Sequence, residues 1–306
     1  MYKRQYTNGA AGILSCTDLK NGKKIWRLDT HASFKPRESF FGTACAPLVS
    51  GGKVFVQVGG TTGIGAGGKG SGIVAFDSET GKPLWGATSD EAGYSSPVIG
   101  KLDGKTRLVC FTRTGIVILD PGTGNILYEK RWRARIGASV NAATPVLAND
   151  MVYFSSSYQT GSICLEASGD SYRELWSGDR ILSSHYSSSI QNSGYLYGFD
   201  GRQEYGTQLR CVSLAGGKIA WSEAQPGEKR FGCGTLILAG DKLLVMADSG
   251  ELILARVSPK GYSRLGSTAI LNDTVRAYPA LAGGFFYARS TGELVCVDLR
   301  KKTGAK

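Results

Sequence analysis

Seven cysteines, two histidines and one glycine-rich run are the residues of this 306-residue chain whose types and spacing bear most directly on chemistry. Cysteines stand at 16, 45, 110, 164, 211, 233 and 296. None are adjacent and none form a Cys-x-x-Cys pair, so redox and metal motifs of that kind are excluded. The run from Gly59 to Gly72 contains Gly63-x-Gly65-x-x-Gly68 and Gly63-x-x-x-x-Gly68-Lys69. Either spacing would cradle a phosphate if a helix followed, because loop amides and a helix N-terminus together hold an anion. An apolar strand pattern follows instead, and Gly70 stands where a phosphate loop needs Ser or Thr, so the run is expected to be an enlarged hairpin loop. No Gly-x-Ser-x-Gly elbow and no His-Glu-x-x-His occurs, and no carboxylate pair stands out. These absences give catalysis little support.

The elements that must position these residues come from an internal repeat. Gly12-Ile-Leu-Ser-Cys-Thr-Asp18 leads through Gly22 to Trp26, and Gly72-Ile-Val-Ala-Phe-Asp77 leads through Gly81 to Trp85. Later units lead from Gly115 to Tyr128, from Gly161 to Trp176 and from Leu209 to Trp221, and Gly250 and Gly292 close the series. With Gly206 included, the anchors are spaced 42 to 60 residues apart, which is a propeller period. An earlier strand pair precedes each anchor, as in Ser96-Pro97-Val98 followed by Leu108-Val-Cys-Phe111. Pro suits a strand's first position, where its missing N–H costs no ladder bond. Four short strands per unit, joined by tight turns and with no amphipathic helical pattern, predict an all-β fold: a β-propeller of four-stranded antiparallel blades. The docking tryptophans Trp26, Trp85, Trp176 and Trp221 are expected on outer strands, burying their rings between blades. Four of the cysteines, Cys16, Cys164, Cys211 and Cys296, take the same place in their units, which predicts buried packing rather than disulfides.

Composition agrees with this reading. The chain is 42% hydrophobic and rich in glycine, with no apolar run of membrane-spanning length. The formal charge of +11 is spread over turns, and only Lys130, Arg131, Arg133 and Arg135 form a local run, so no nucleic-acid partner is expected.

The string Gly-Ile-Val-Ala-Phe-Asp77-Ser-Glu-Thr-Gly81-Lys-Pro-Leu-Trp85 resembles the tryptophan-docking repeat of the pyrroloquinoline-quinone (PQQ)-like propeller family. That family includes quinoprotein alcohol dehydrogenases and the BamB-type lipoprotein that assists outer-membrane β-barrel assembly. The first unit offers only its last two strands and the last stops at Leu299 without a Trp-bearing strand, so about six and a half blades of an expected eight are read. Residues 1–5 resemble the translation of a sequencing-library adaptor, leaving 6–306 as a single propeller domain truncated at its N-terminus. The resemblance implies a periplasmic or otherwise exported monomer whose signal preceded this sequence. It also implies a non-enzymatic binding or scaffolding role, toward a protein partner or a small polar or anionic ligand, with no cofactor and no membrane span. The competing implication is a PQQ- and Ca²⁺-dependent alcohol or sugar dehydrogenase, against which stands the lack of the vicinal cysteine pair that stacks on the quinone.

Propeller geometry says where a ligand would sit. Residues at the starts of inner strands line a channel mouth, which nominates Tyr94, Ser95, Arg133, Arg135, Asn141, His185, Tyr186 and Arg276. The alternative is that these groups satisfy one another. Arg202 and Glu204, in an unusual hairpin, are expected to form a salt bridge.

Overall fold

A computed structural model of the chain describes residues 3–37, 41–64, 70–137, 139–223 and 232–300. It divides into two compact units, Met1–Tyr186 and Ser187–Lys306. Every sheet is antiparallel and ordered by sequence.

In the first unit, the first sheet holds β1 (Arg4–Asn8), β2 (Ile13–Asp18) and β3 (Lys24–Asp29), followed by a five-residue helix α1 (Thr30–Phe34). The second holds β4 (Leu48–Ser50), β5 (Lys53–Gly60), β6 (Ser71–Asp77) and β7 (Pro83–Ala87). The third holds β8 (Val98–Leu102), β9 (Lys105–Phe111), β10 (Gly115–Leu119) and β11 (Ile126–Arg131). The fourth holds β12 (Val146–Ala148), β13 (Met151–Ser156), β14 (Gly161–Ser168) and β15 (Ser171–Gly178).

In the second unit, the fifth sheet holds β16 (Ile190–Asn192), β17 (Tyr195–Arg202), β18 (Gly206–Ser213) and β19 (Ile219–Glu223). The sixth holds β20 (Gly234–Ala239), β21 (Lys242–Ala247), β22 (Glu251–Arg256) and β23 (Arg264–Ala269). The seventh holds β24 (Ala280–Ala282), β25 (Phe285–Arg289) and β26 (Leu294–Asp298).

These are the blades of a β-propeller. Among the described residues there are seven, of three or four strands each, which corrects the expectation of six and a half of eight. The miscount has a physical source. β1 reads Arg-Gln-Tyr-Thr-Asn and pairs Arg4 with Asp18 through Asn8 with Leu14. Its residues alternate between exposed and half-buried and lack the apolar run that marks the other second strands. Helix α1 was likewise not anticipated: Asp29 caps it by accepting from the Ala32 amide at 2.9 Å, and five residues are too few to show a helical period.

Period-two alternation divides each blade's side chains between its two neighbours. In β5 and β6, Val54, Val56, Val74 and Phe76 pack toward Leu14 of the first sheet. The intervening Phe55, Ile73 and Ala75 pack toward Leu108 and Cys110 of the third. The third sheet repeats the division, sending Phe111, Ile116 and Ile118 against Val152, Phe154 and Ile163 of the fourth. Middle strands are therefore buried on both faces, while an outer strand such as β23 is exposed along its whole length. In the second unit the same stacking joins the fifth sheet to the sixth and the sixth to the seventh.

The outer strands carry the docking rings. Trp26, Trp85, Trp176 and Trp221 pair with Cys16, Ala75, Cys164 and Cys211, and each pairing is followed by a one-residue bulge. Trp26 then lies over Gly81 of the next blade, and Trp85 over Gly124. Of the four repeat-equivalent cysteines, Cys16, Cys164 and Cys211 are buried as expected, and Cys45, Cys110 and Cys233 are buried as well. Cys296 is the correction, since it is exposed on β26, where no outer strand covers it among the described residues.

Candidate binding face

In the first unit the sheet-to-sheet connections and the hairpins between second and third strands gather at one end of the blades. Two kinds of polar residue occupy that end.

The buried ones clamp loops together. Gln57, fully buried within β5, donates to the Ser95 carbonyl at 2.7 Å and the Phe111 carbonyl at 3.2 Å, and accepts from the Gly93 amide at 2.9 Å. Asn141 donates to the carbonyls of Thr112 and Trp132, both at 2.9 Å, and accepts from the Ser156 hydroxyl at 2.9 Å. Its own carbonyl receives the amides of Tyr94 and Ser95. The Tyr94 hydroxyl accepts from the Phe41 amide at 2.8 Å, with the two rings edge-on at 5.6 Å. Ser155 completes the series in the fourth sheet, donating to the Leu182 carbonyl at 2.7 Å and accepting from the Ser184 amide at 2.7 Å. Tyr94, Ser95 and Asn141 are thus brought together, hydrogen-bonded through one another, through backbone and, for Asn141, through Ser156. Gln57, Thr112, Ser155 and Ser156 were missed by sequence reasoning. The available signal was a polar residue set against an apolar second strand: Thr112 follows Phe111 at the end of β9, and Gln57 interrupts β5 between Val56 and Val58.

The charged ones lie less deep, and Arg131 and Arg135 are exposed. Glu91 lies 3.2 Å from Arg113 and 4.0 Å from Arg37, and Arg113 also donates to the Gly137 carbonyl at 2.6 Å. Arg133 and Arg135 line a groove of about 470 Å³ with Arg131, Trp132, Ile136 and the Tyr158–Thr160 hairpin. Burial, followed by the charges of Arg113 and Arg131, holds the Arg133 guanidinium below its ordinary value, with Glu91 pulling the other way. The hairpin wall is conformationally costly, since Tyr158 and Gln159 both adopt left-handed backbone, at φ 58° and 63°. Tyr158 meets His185 edge-on at 5.2 Å, and His185 meets Tyr186 at 5.5 Å. Of the nominated residues, then, the first unit holds a buried clamp, a cationic groove and an aromatic stack. Arg276 belongs to the second unit, where its charge offsets the burial that raises Asp248.

Also in the second unit, Arg202 pairs with Glu204 at 2.8 Å and lies 5.7 Å over the exposed Tyr205 ring, so the expected salt bridge forms. The glycine-rich run is described only in part, as residues 65–69 lie outside the described set, and the strand β6 follows it. No three His, Cys, Asp or Glu side chains come together among the described residues in a way that would hold a metal ion. Among them, too, no helix is long and apolar enough to cross a membrane.

Comparison with known proteins adds the family. The sequence profile described as outer membrane protein assembly factor BamB matches residues 2–223. The chain belongs to this family. Among solved structures, the BamB-family fold is similar to that of BamB from Moraxella catarrhalis, with a TM-score of 0.69 at 17% identity, over 99% of this chain and 81% of that one. It is also similar to the computationally designed protein Ika8, with a TM-score of 0.64 at 11% identity, over 98% of this chain and 81% of that one. At such identities these two likenesses speak for the fold alone. No curated protein matches the sequence.

Proposed function

We propose that this BamB-family propeller is a non-enzymatic, exported binding scaffold that presents the loop end of its first unit to a protein partner. The observation carrying this reading is the division of labour among polar groups at that end. Buried ones such as Gln57, Ser95 and Asn141 are consumed in holding loops in place, while Arg131 and Arg135 are left facing solvent. A catalytic site needs a reactive group held out of water beside a positioned acid, base or metal. A docking surface needs rigid loops with charge on their outer side, and that is what the clamp supports. Cofactors play no part in this reading, and membership of a family described as outer membrane protein assembly factor supports export to the periplasm.

The test is co-purification with outer-membrane barrel-assembly components, beside a dye-reduction assay with PQQ, Ca²⁺ and alcohols. Specific association without turnover supports the scaffold. Robust quinone-dependent turnover, or a clean pull-down with no barrel-assembly component retained, overturns it.

A further inference from the structure

The groove beside the fourth blade has features that name what it would hold. It combines charge without neutralisation, an aromatic wall and an apolar lip. Arg131, Arg133 and Arg135 lie in or just after the end of β11, and among the described residues none has a carboxylate within ion-pair distance. The carboxylate nearest in influence, Glu91, is already engaged by Arg113 and Arg37. The floor is fixed. The Trp132 indole donates to the Gly161 carbonyl at 3.1 Å and its amide to the Thr114 carbonyl at 3.2 Å, which pins the arginine-bearing segment between two hairpins. The Tyr158 ring forms a wall on the strained hairpin turn, and Ile136, 55% exposed, forms the lip.

A bare phosphate ion is much smaller than a groove of about 470 Å³ and would leave Ile136 and Tyr158 without purpose. Carboxylates at alternate positions of an extended chain share a face and would reach more than one guanidinium at once, and an apolar side chain further along that face would cover Ile136. We infer that this groove binds an acidic, extended peptide segment of a partner protein, with carboxylates on Arg131, Arg133 and Arg135 and an apolar residue against Tyr158 and Ile136. The inference rests on the scaffold reading above and supplies the partner's chemistry.

Fluorescence anisotropy of the whole protein with a short labelled peptide rich in Glu and Asp around a central Phe tests it. The Gln/Asn analogue is the control peptide. Saturable binding of the acidic peptide only is expected, weakening as salt rises and by about tenfold in Arg133→Glu. Because Arg133 is half-buried, Arg135→Glu at an exposed position serves as the second variant, with thermal melting to establish that both fold. Arg173→Gln, on β15 and outside the groove lining, is expected to bind as the unaltered protein does. Equal binding of the neutral peptide, or indifference to both charge reversals, overturns the inference. So does displacement of the peptide by inorganic phosphate or a nucleic-acid oligomer at lower concentration than by unlabelled peptide. If Arg135→Glu abolishes peptide binding but not partner co-purification, the groove's assignment to that partner falls and the scaffold reading stands. Loss of co-purification in the unaltered protein sinks the scaffold reading itself.

Discussion

The contact that unites adjacent blades is an indole ring lying on a glycine. Gly81 and Gly124 close their turns in left-handed backbone, at φ 72° and 76°, which favours glycine in its own right. Each has a second constraint. A Cβ on Gly81 would come within 2.7 Å of the Trp26 ring, and one on Gly124 within 2.5 Å of the Trp85 ring. The spacing Asp-x-x-x-Gly…Trp therefore links two blades: the glycine of one turn is the seat for the tryptophan of the preceding unit. Gly104 separates the two effects, because its φ is also 72° but nothing lies within 4 Å of its would-be Cβ. Gly104→Ala should cost about 1–2 kcal/mol, the left-handed penalty alone. Gly124→Ala should cost about 2–4 kcal/mol, because overpacking against the indole is added. Trp85→Ala should cost about 3–5 kcal/mol. Urea-denaturation midpoints measure all three, and equal losses at Gly104 and Gly124 would mean the ring yields without resistance.

At the scale of the element, the turn between third and fourth strands is a unit with its own electrostatics. Asp120 accepts from the Gly122 amide at 2.9 Å, the Thr123 amide at 2.8 Å and the Thr123 hydroxyl at 3.0 Å, and Asp77 holds Glu79 and Thr80 in the same way. The Thr123 amide is the main reason the Asp120 carboxyl lies below its ordinary 3.8, and the Thr80 hydroxyl is the main reason for Asp77. A carboxylate depressed on folding contributes stability that is present above its unfolded value and lost as pH falls through the folded one. Asp120→Asn should therefore be less stable than the unaltered protein by about 1 kcal/mol at neutral pH, modest because water reaches the turn. The difference should shrink as pH falls below 3.8 and vanish once the carboxyl is protonated in the folded chain too, and a pH-independent difference would show that the charge is not what holds the turn. These turns were legible in the sequence because Asp, Thr and Gly each report a local hydrogen bond or dihedral. β1 was not, since a strand at the edge of a sheet can keep polar alternation and leave no apolar trace. The polar clamp was half legible: Ser95 and Asn141 were nominated from strand position, but that Gln57 reaches the Ser95 carbonyl and Asn141 the carbonyls of Thr112 and Trp132 is a long-range fact no local pattern encodes. The arginine run was visible, and the Tyr158 hairpin that makes it a groove was not.

Across the whole molecule, cohesion comes from sheet faces stacked within each unit, with all seven cysteines present as free thiols. The thiols consequently report how well each sheet is covered. Cys16, Cys164 and Cys211 sit under tryptophans on outer strands and are fully buried, with burial pushing Cys164 up to about 12 and Cys211 up to about 11. Cys45 and Cys110 are enclosed as well, and Cys45 is raised to about 11. Thiolate is the reactive form, so burial protects these groups both by excluding reagent and by withholding ionisation. Cys296 has the same place in its repeat but faces Tyr287 on β25, with no indole-bearing strand on its other side among the described residues. A charged, membrane-impermeant thiol reagent should therefore modify one cysteine per native chain and all seven after unfolding, and peptide mapping should place the native label at Cys296. The kinetics then read blade opening directly. Cys16, Cys164 and Cys211 label only when a tryptophan-bearing strand detaches, so Trp176→Ala should speed labelling of Cys164 well before it affects Cys45, in the connection leading into β4. If Cys164 and Cys45 accelerate together, the first unit opens as one body, and the blade-by-blade independence expected of a repeat fold does not hold for it.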